Sequence, residues 1–173
     1  SELESTQPNA GLACARRLDP ARTMYVPATK AGGTVETRSF LKYFYNQTAD
    51  GVGAEEAGRH FVAITDPASD LADLATALNF RHTFLNDPDI GGRYSALAFF
   101  GLGPAALIGM DSRRLLQSAR RAAGENDGSL LGAAIGGAAL EGRDKVALIT
   151  SPSLSSCGAW VEQLIAESTG KQD

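Results

Sequence analysis

The chain has 173 residues, of which 43% are apolar and 21% are charged, and its formal net charge at pH 7 is -4. This length and composition are typical of one globular domain with a sizeable buried core, here residues 1–173. The acidic balance argues against a nucleic-acid-binding protein, because phosphate backbones bind to basic surfaces. The two cysteines and two histidines lack the spacing of a zinc site, so no metal is expected.

The first half of the chain alternates predicted strands with predicted helices. Short runs of β-branched and aromatic residues predict buried strands at 23–26, 61–65 and 80–84. Apolar residues at helical spacing predict a helix over 35–45. Ser69 is the expected N-terminal cap of the next helix, which extends through Leu78.

The second half of the chain is predicted to be mostly helical. Its longest apolar run, 96–110, predicts a buried helix that starts at Tyr94. This run is too short, and too interrupted by glycine and proline, to be a membrane span, so no membrane partner is expected. Further helices are predicted at 111–124, 129–140 and 156–168. The run at 144–150 predicts a fourth buried strand, and the absence of a leader-like opening predicts a cytoplasmic location.

Apolar strands that alternate with helices predict an α/β fold. We expect a three-layer, doubly wound, mostly parallel sheet with helices on both faces. Ligands of such sheets bind outside the carboxyl ends of the strands. The turns that follow Val26 and Phe84 should therefore lie at the same edge of the sheet.

The first of these turns is rich in glycine and hydroxyl groups and leads into a helix. Free N–H groups and the dipole at a helix N-terminus favour an anion, so the turn predicts a phosphate site. The simpler alternative is an ordinary helix start with Thr34 as its N-cap, with Lys30 in solvent and Glu36 as a partner of the dipole. The residues that could form the phosphate site are Thr29, Lys30, Gly32, Gly33, Thr34 and Thr37.

The second turn, 89–95, carries one arginine after two glycines. Gly91 and Gly92 remove two β-carbons, which permits positive φ and the close approach of a ligand. A guanidinium fixed at Arg93 could bind an anion. The alternative is a plain tight turn with Arg93 in solvent.

Near the end of the chain, Glu167 precedes Lys171 by four residues. This spacing is typical of an ordinary ion pair on the surface of a helix. Local sequence alone therefore assigns Glu167 no chemical role.

Several segments together resemble the sugar isomerase (SIS) domain of phosphoglucose isomerase, also called glucose-6-phosphate isomerase. The segments that carry the resemblance are 61–67 (FVAITDP), 88–97 (PDIGGRYSAL), 100–106 (FGLGPAA) and 166–172 (AESTGKQ). The string Ile-Gly-Gly-Arg-Tyr-Ser is close to a signature of that family. The likeness runs from about Leu18 to Asp173 and is strongest to the form that is fused to transaldolase.

The resemblance implies an aldose–ketose isomerase that interconverts glucose 6-phosphate and fructose 6-phosphate without a cofactor. Glu167 corresponds to the base that carries a proton between carbons 1 and 2, and Arg93 to the arginine that stabilises the enediolate. Thr29, Lys30, Thr34 and Thr37 correspond to the phosphate site. The other pocket residues would be Gly32, Gly33, Glu36, Gly91 and Gly92. The sugar phosphate is the expected partner, and a homodimer is expected by family likeness.

The phosphate loop departs from the family pattern Ser-Lys-Ser-Gly-Thr-Thr at two hydroxyl positions, which are Ala31 and Gly33 here. Each hydrogen bond lost to a charged phosphate is worth on the order of 1.5–3 kcal/mol. The alternative function is therefore a sugar-phosphate-binding SIS module without catalysis. The resemblance also predicts little or no turnover by these 173 residues alone, because other family segments complete the active site.

Overall fold

The structure of the chain, a computed structural model, describes residues 8–33 and 35–168. Among these residues the chain divides after Ile108 into two compact units. The α-helices are α1 (Pro8–Ala15), α2 (Val35–Val52), α3 (Ala54–Ala57), α4 (Asp70–Ala77), α5 (Phe99–Leu107), α6 (Ser112–Gly124), α7 (Asp127–Leu140) and α8 (Cys157–Ser168). Short 3-10 helices occupy Pro20–Arg22, Gly58–His60, Gly92–Leu97 and Pro152–Leu154.

The sheet of the first unit is small and parallel. Its strands are β1 (Val62–Thr65) and β2 (His82–Leu85), and the register pairs Val62 with His82. All four residues of β1 are buried, which explains why this strand is apolar throughout. Ser69 accepts a hydrogen bond from the Ala72 N–H at 3.1 Å and so caps α4, as predicted.

The segment 25–29 extends this sheet on the other side of β1 without forming a regular strand. It pairs with β1 through isolated parallel bridges, Tyr25 to Phe61 and Ala28 to Ile64. Pro27 lies between the two bridges and has no N–H to donate, so the hydrogen-bond ladder is interrupted there. The strand predicted at 23–26 is therefore present only as this bridged segment.

The core of the first unit lies where α2 and α4 pack against β1. Its buried residues are Ala15, Leu41, Phe44, Phe61, Ala63, Leu71 and Ala75. Three aromatic rings stack through it, since the Phe61 ring lies 4.9 Å from Tyr25 and 5.2 Å from Phe80 between centroids. Aromatic burial of this kind supplies much of the stabilisation of a small core.

The long helix predicted from Tyr94 is divided in the structure. The chain forms the 3-10 helix Gly92–Leu97, becomes extended at Ala98, and then starts α5. The side-chain oxygen of Asn86 accepts the Phe99 N–H at 3.1 Å and so marks a new helix start. The prediction of a buried helix is also wrong, because no residue of α5 is buried and Ile108 beyond its end is 78% exposed.

The second unit is helical in its described part, 109–168. The strand predicted at 144–150 is wrong, because this segment has no regular secondary structure and Ile149 is 98% exposed. A β-rich apolar run becomes a strand only when another strand satisfies its backbone groups, and 109–168 contains none. The helices α6, α7 and α8 agree with the predicted positions within a few residues.

The fold is therefore mixed α/β, mostly helical, with a small parallel sheet. The three-layer doubly wound arrangement, and the single domain over 1–173, stay predictions. Within 8–33 and 35–168, no helix has the length and apolar character needed to cross a bilayer.

Replacing Ile64 by alanine should lower the free energy of unfolding by about 2–5 kcal/mol, because the buried side chain leaves a cavity. Its exposed fraction is 1%. The same change at Ile108, which is 78% exposed in the same unit, should cost less than about 0.5 kcal/mol. Urea unfolding followed by circular dichroism measures both variants. Equal losses would contradict this placement of the core.

Burial raises the pKa of the Tyr25 phenol, and the charge of Asp19 adds to this rise. The phenol oxygen is buried and has no hydrogen-bond partner among the described residues. Because the folded pKa is the higher one, the neutral phenol stabilises the fold below the unfolded pKa. That stabilisation is lost as the pH rises through the folded value.

The chain should therefore lose stability above about pH 10 more steeply than its Tyr25→Phe variant does. Urea unfolding of both proteins between neutral and alkaline pH measures the difference. Parallel pH dependences for the two proteins would show that Tyr25 is not the titrating group.

Candidate active site at the carboxyl ends of the strands

The carboxyl ends of three parallel segments meet at one edge of the small sheet. Lys30 follows the bridged segment 25–29, Asp66 follows β1, and Asn86 follows β2. All three side chains carry polar groups, at the edge where parallel sheets bind ligands. The two predicted ligand turns, 29–37 and 89–95, both start from this edge.

The ammonium of Lys30 joins the two turns. Its Nζ lies 2.9 Å from Asp66 Oδ2 and 3.1 Å from Oδ1, and it donates to the Ile90 carbonyl at 2.6 Å. The Asp87 carbonyl lies farther away, at 3.5 Å. The ion pair is largely shielded, with side-chain exposures of 26% for Lys30 and 15% for Asp66. The structure thus brings the loop of Lys30 against the turn that carries Arg93.

A chain of hydroxyl groups fixes the backbone of the same loop. The Thr65 hydroxyl donates to the Lys30 carbonyl at 3.0 Å, so its oxygen must accept the proton of Ser69 Oγ, which lies 2.7 Å away. Ser69 in turn accepts the Ala72 N–H. Thr65 and Ser69 are buried, and both are satisfied by these bonds. The first turn of α4 is thereby tied to the carbonyl of Lys30.

Asn86 fastens the other side of the edge. Its backbone N–H donates to the Thr65 carbonyl at 2.9 Å, and its Nδ2 contacts the same oxygen at 3.3 Å. Its Oδ1 accepts the Phe99 N–H at the start of α5. One buried amide therefore holds β1, β2 and α5 around the turn between them.

The turn with Arg93 is built from local hydrogen bonds. The Tyr94 N–H donates to the Gly91 carbonyl at 3.0 Å, and the Ser95 hydroxyl donates to the Gly92 carbonyl at 2.6 Å. The turn then packs tightly on α5, because a β-carbon at Gly101 would lie 2.0 Å from the Ala96 carbonyl oxygen. The Arg93 side chain is half-buried in this setting.

The loop that contains Thr29 and Lys30 borders a cavity of about 440 Å³. Thr29, Gly32 and Thr37 line it together with apolar residues of α2 and α4. Arg38 and Asp70 line it as well, and their charged groups lie 3.5 Å apart. The cavity thus offers hydroxyls and one guanidinium to an anion, with a carboxylate beside them.

The predicted phosphate-binding and pocket residues in the described part of the chain fall into three groups. Lys30 lies with Gly91 and Gly92 at the sheet edge, whereas Thr29, Gly32 and Thr37 line the cavity. The side chain of Glu36 and the backbone of Gly33 are exposed. Thr34 lies outside the described residues.

Glu167 lies in the last turn of α8 with an exposed side chain, and it belongs to the second unit. Lys171, its predicted partner on the helix surface, lies outside the described residues. The approach of Glu167 to Arg93 stays a prediction.

Sequence reasoning missed Asp66, Thr65 and Asn86 as parts of this site. The signal that could have found them is position, since each ends or directly follows a parallel strand. The residues placed in the described structure form no cluster of three or more metal-ligating side chains of the kind that binds a metal ion.

Replacing Gly32 by alanine should destabilise the loop by about 1–3 kcal/mol, because its φ of +76° is unfavourable for other residues. A β-carbon there would also lie 2.7 Å from the Leu71 nitrogen. Gly33 is the matched control, since no atom lies within 4 Å of its added β-carbon. Thermal unfolding of Gly32→Ala and Gly33→Ala should separate them, and equal melting temperatures would contradict this loop geometry.

No protein-family model matches the sequence. Individual curated proteins do match it. A glucose-6-phosphate isomerase of Carboxydothermus hydrogenoformans is 35% identical over 166 residues, which cover 90% of this chain and 35% of that protein. A glucose-6-phosphate isomerase of Citrifermentans bemidjiense is 37% identical over 161 residues, covering 87% of this chain and 30% of that protein. The chain spans about a third of the length of these relatives.

Two solved structures also match part of the chain. A hypothetical protein of Thermus thermophilus superposes with a TM-score of 0.66 at 36% identity, over 69% of this chain and 29% of that one. A glucose-6-phosphate isomerase of Chlamydia trachomatis superposes with a TM-score of 0.50 at 26% identity, over 56% of this chain and 18% of that one. The chain is therefore homologous to a segment of glucose-6-phosphate isomerase, the family whose motifs its sequence carries.

Proposed function

We propose that this chain is a sugar isomerase domain of a glucose-6-phosphate isomerase and interconverts glucose 6-phosphate and fructose 6-phosphate within the whole protein. The homology over 166 residues to a protein named for this activity carries the proposal. The Lys30–Ile90 contact supports it, because it brings the predicted phosphate loop against the turn with Arg93.

The reaction moves a hydrogen between two adjacent carbons of the open-chain sugar. In the proposed step, the carboxylate of Glu167 takes the proton from carbon 2 of glucose 6-phosphate, and the electron pair enters an enediolate. The same carboxyl group returns the proton to carbon 1, while the hydroxyl proton on the carbon-2 oxygen is transferred to the oxygen on carbon 1, which leaves the ketone at carbon 2. A positioned general base of this kind contributes typically about 10²–10⁴-fold to the rate.

Arg93 is the proposed partner of the oxygens that gain negative charge in this step. A guanidinium is always charged and offers several donors in a fixed plane, so it suits two neighbouring oxygens. Its side chain is half-buried and therefore partly shielded from water, which strengthens the attraction. Gly91 and Gly92 would let the sugar approach the backbone beside it.

The phosphate is proposed to bind at the loop of Thr29, Lys30, Thr34 and Thr37 through the threonine hydroxyls, because the Lys30 ammonium donates to Asp66 and Ile90. Thr29 is buried and Thr37 half-buried on the wall of the cavity, where their hydroxyls can serve a bound anion. Gly32, Gly33 and Glu36 complete the walls of the proposed pocket. No metal or organic cofactor takes part in the proposed reaction, which is a proton transfer.

The wider context belongs to the same proposal. We infer a fusion to transaldolase, a cytoplasmic location and a homodimeric assembly, as the sequence resemblance implies. The sugar phosphate is the proposed small-molecule partner, and neither nucleic acid nor a membrane has a role.

A second candidate function is a sugar-phosphate-binding module without catalysis. Ala31 and Gly33 favour it, because both positions of the exposed loop lack the hydroxyl groups of the family pattern. Such a module would bind 6-phosphogluconate but would not convert glucose 6-phosphate to fructose 6-phosphate. Neither the wild type nor any variant would then show isomerase activity.

The variants Arg93→Ala and Glu167→Gln should each lower kcat for fructose 6-phosphate by at least about 100-fold, because one loses the oxyanion partner and the other the base. The coupled isomerase assay uses the natural gene product that contains these residues. Glu162→Gln, a second exposed acid on α8, is the matched control and should retain full activity.

Near-normal turnover in both variants would refute the assigned roles. A wild-type protein that binds 6-phosphogluconate in calorimetry but shows no turnover would favour the binding module.

A further inference from the structure

We propose that Lys30 and Asp66 form a positioning pair that sets the turn carrying Arg93. The inference rests on the proposed isomerase function and adds two positioning residues to it. Lys30 holds the turn through the Ile90 carbonyl, and Asp66 holds Lys30 through the ion pair. Neither residue touches the reacting atoms.

The first argument is the use of the ammonium group. It has three N–H donors, and acceptors lie at 2.6 Å on Ile90 and at 2.9 and 3.1 Å on the Asp66 carboxylate. Bonds from a charged donor are stronger than neutral ones, and this group is largely shielded from water. Its donors are therefore committed to protein atoms at the sheet edge.

The second argument is the flexibility of the turn itself. Ile90 directly precedes Gly91 and Gly92, and glycine backbone loses more conformational freedom on folding than any other residue. A fixed donor on the Ile90 carbonyl restricts the turn where it enters the 3-10 helix. The aliphatic stem of Lys30 adds to this, since a β-carbon at Gly92 would lie 3.8 Å from Lys30 Cδ.

The third argument is the reciprocal bonding of the pair. Asp66 accepts from the Lys30 ammonium, and its backbone N–H donates to the Lys30 carbonyl at 3.2 Å. The Thr65 hydroxyl reaches the same carbonyl. Lys30 is thus held at its backbone and at its tip, which reduces the freedom of a long side chain.

The charge of the pair separates this role from direct phosphate binding. The Asp66 carboxylate compensates the Lys30 ammonium, so the pair exerts little net attraction on a phosphate. A displaced Arg93 would weaken the stabilisation of the enediolate much more than the binding of the sugar. Errors of about 1 Å in such groups can cost about 100-fold in rate.

The test compares Lys30→Met, Asp66→Asn and the double variant with Lys42→Met, an exposed lysine on α2, as the control. In the natural gene product, Lys30→Met should lower kcat for fructose 6-phosphate at least about tenfold. Its KM and its inhibition constant for inorganic phosphate should change less than threefold. The double variant should be no worse than Lys30→Met, because the two residues act as one unit.

A second readout does not depend on activity. Hydrogen exchange of the Tyr94 and Ala98 amides, which donate to the Gly91 and Ser95 carbonyls, should be at least about tenfold faster in Lys30→Met. If Lys30→Met does not fold, Lys30→Arg and Asp66→Asn take its place. Lys30→Arg keeps the charge and should recover most of the protection and the rate.

Two results would overturn the inference. One is a tenfold rise in KM and in the phosphate inhibition constant with kcat intact, which would make Lys30 a phosphate ligand. The other is unchanged exchange at Tyr94 and Ala98. Failure of the proposed function is distinguishable from failure of this inference. An inactive wild type or an active Arg93→Ala variant would refute the proposed function, and neither result would alter the hydrogen exchange measured at Tyr94 and Ala98.

Discussion

The edge of the sheet depends on how its last carbonyl groups are satisfied. Where parallel strands end, backbone carbonyls lose their ladder partners, and a buried carbonyl without a donor costs about 1–3 kcal/mol. Here the Lys30 carbonyl receives the Thr65 hydroxyl and the Asp66 N–H, and the Thr65 carbonyl receives both donors of Asn86. These bonds fix where the following turns leave the sheet. The turn that carries Arg93 follows β2 from this edge.

The same bonds explain why two glycine-rich turns can be well ordered. Gly32 packs on the N-terminus of α4, where only a residue without a β-carbon fits, and the Ser69 to Thr65 hydroxyl chain holds that helix to the loop. The other turn is held at Ile90 by a charged donor and at Ser95 by its own hydroxyl. Glycine gives both turns their shape, and neighbours outside the turns give them their rigidity.

Local sequence predicted the elements whose causes are local. The cap at Ser69 and the buried strand β1 follow from a hydroxyl before a helix and from an unbroken apolar run. The Lys30–Ile90 contact joins residues 60 positions apart and leaves no local pattern. The prediction of a strand at 144–150 was wrong for a related reason, because apolar β-branched residues form a strand only beside a partner strand. The helix predicted from Tyr94 is interrupted because the Asn86 side chain, which lies outside that segment, accepts the Phe99 N–H and so starts a new helix there.

The turn 89–95, which Lys30 holds at the Ile90 carbonyl, also bears on the choice between an isomerase and a binding module. A module that only holds a sugar phosphate needs positive charge near the anion, and a mobile arginine supplies it at little conformational cost. An enediolate forms for an instant on two oxygens, so a guanidinium stabilises it only if it is already in place. In this chain the Asp66 carboxylate compensates the charge of the Lys30 ammonium, and that ammonium donates to the Ile90 carbonyl of the turn. An arrangement that gives up anion attraction for fixed geometry favours catalysis.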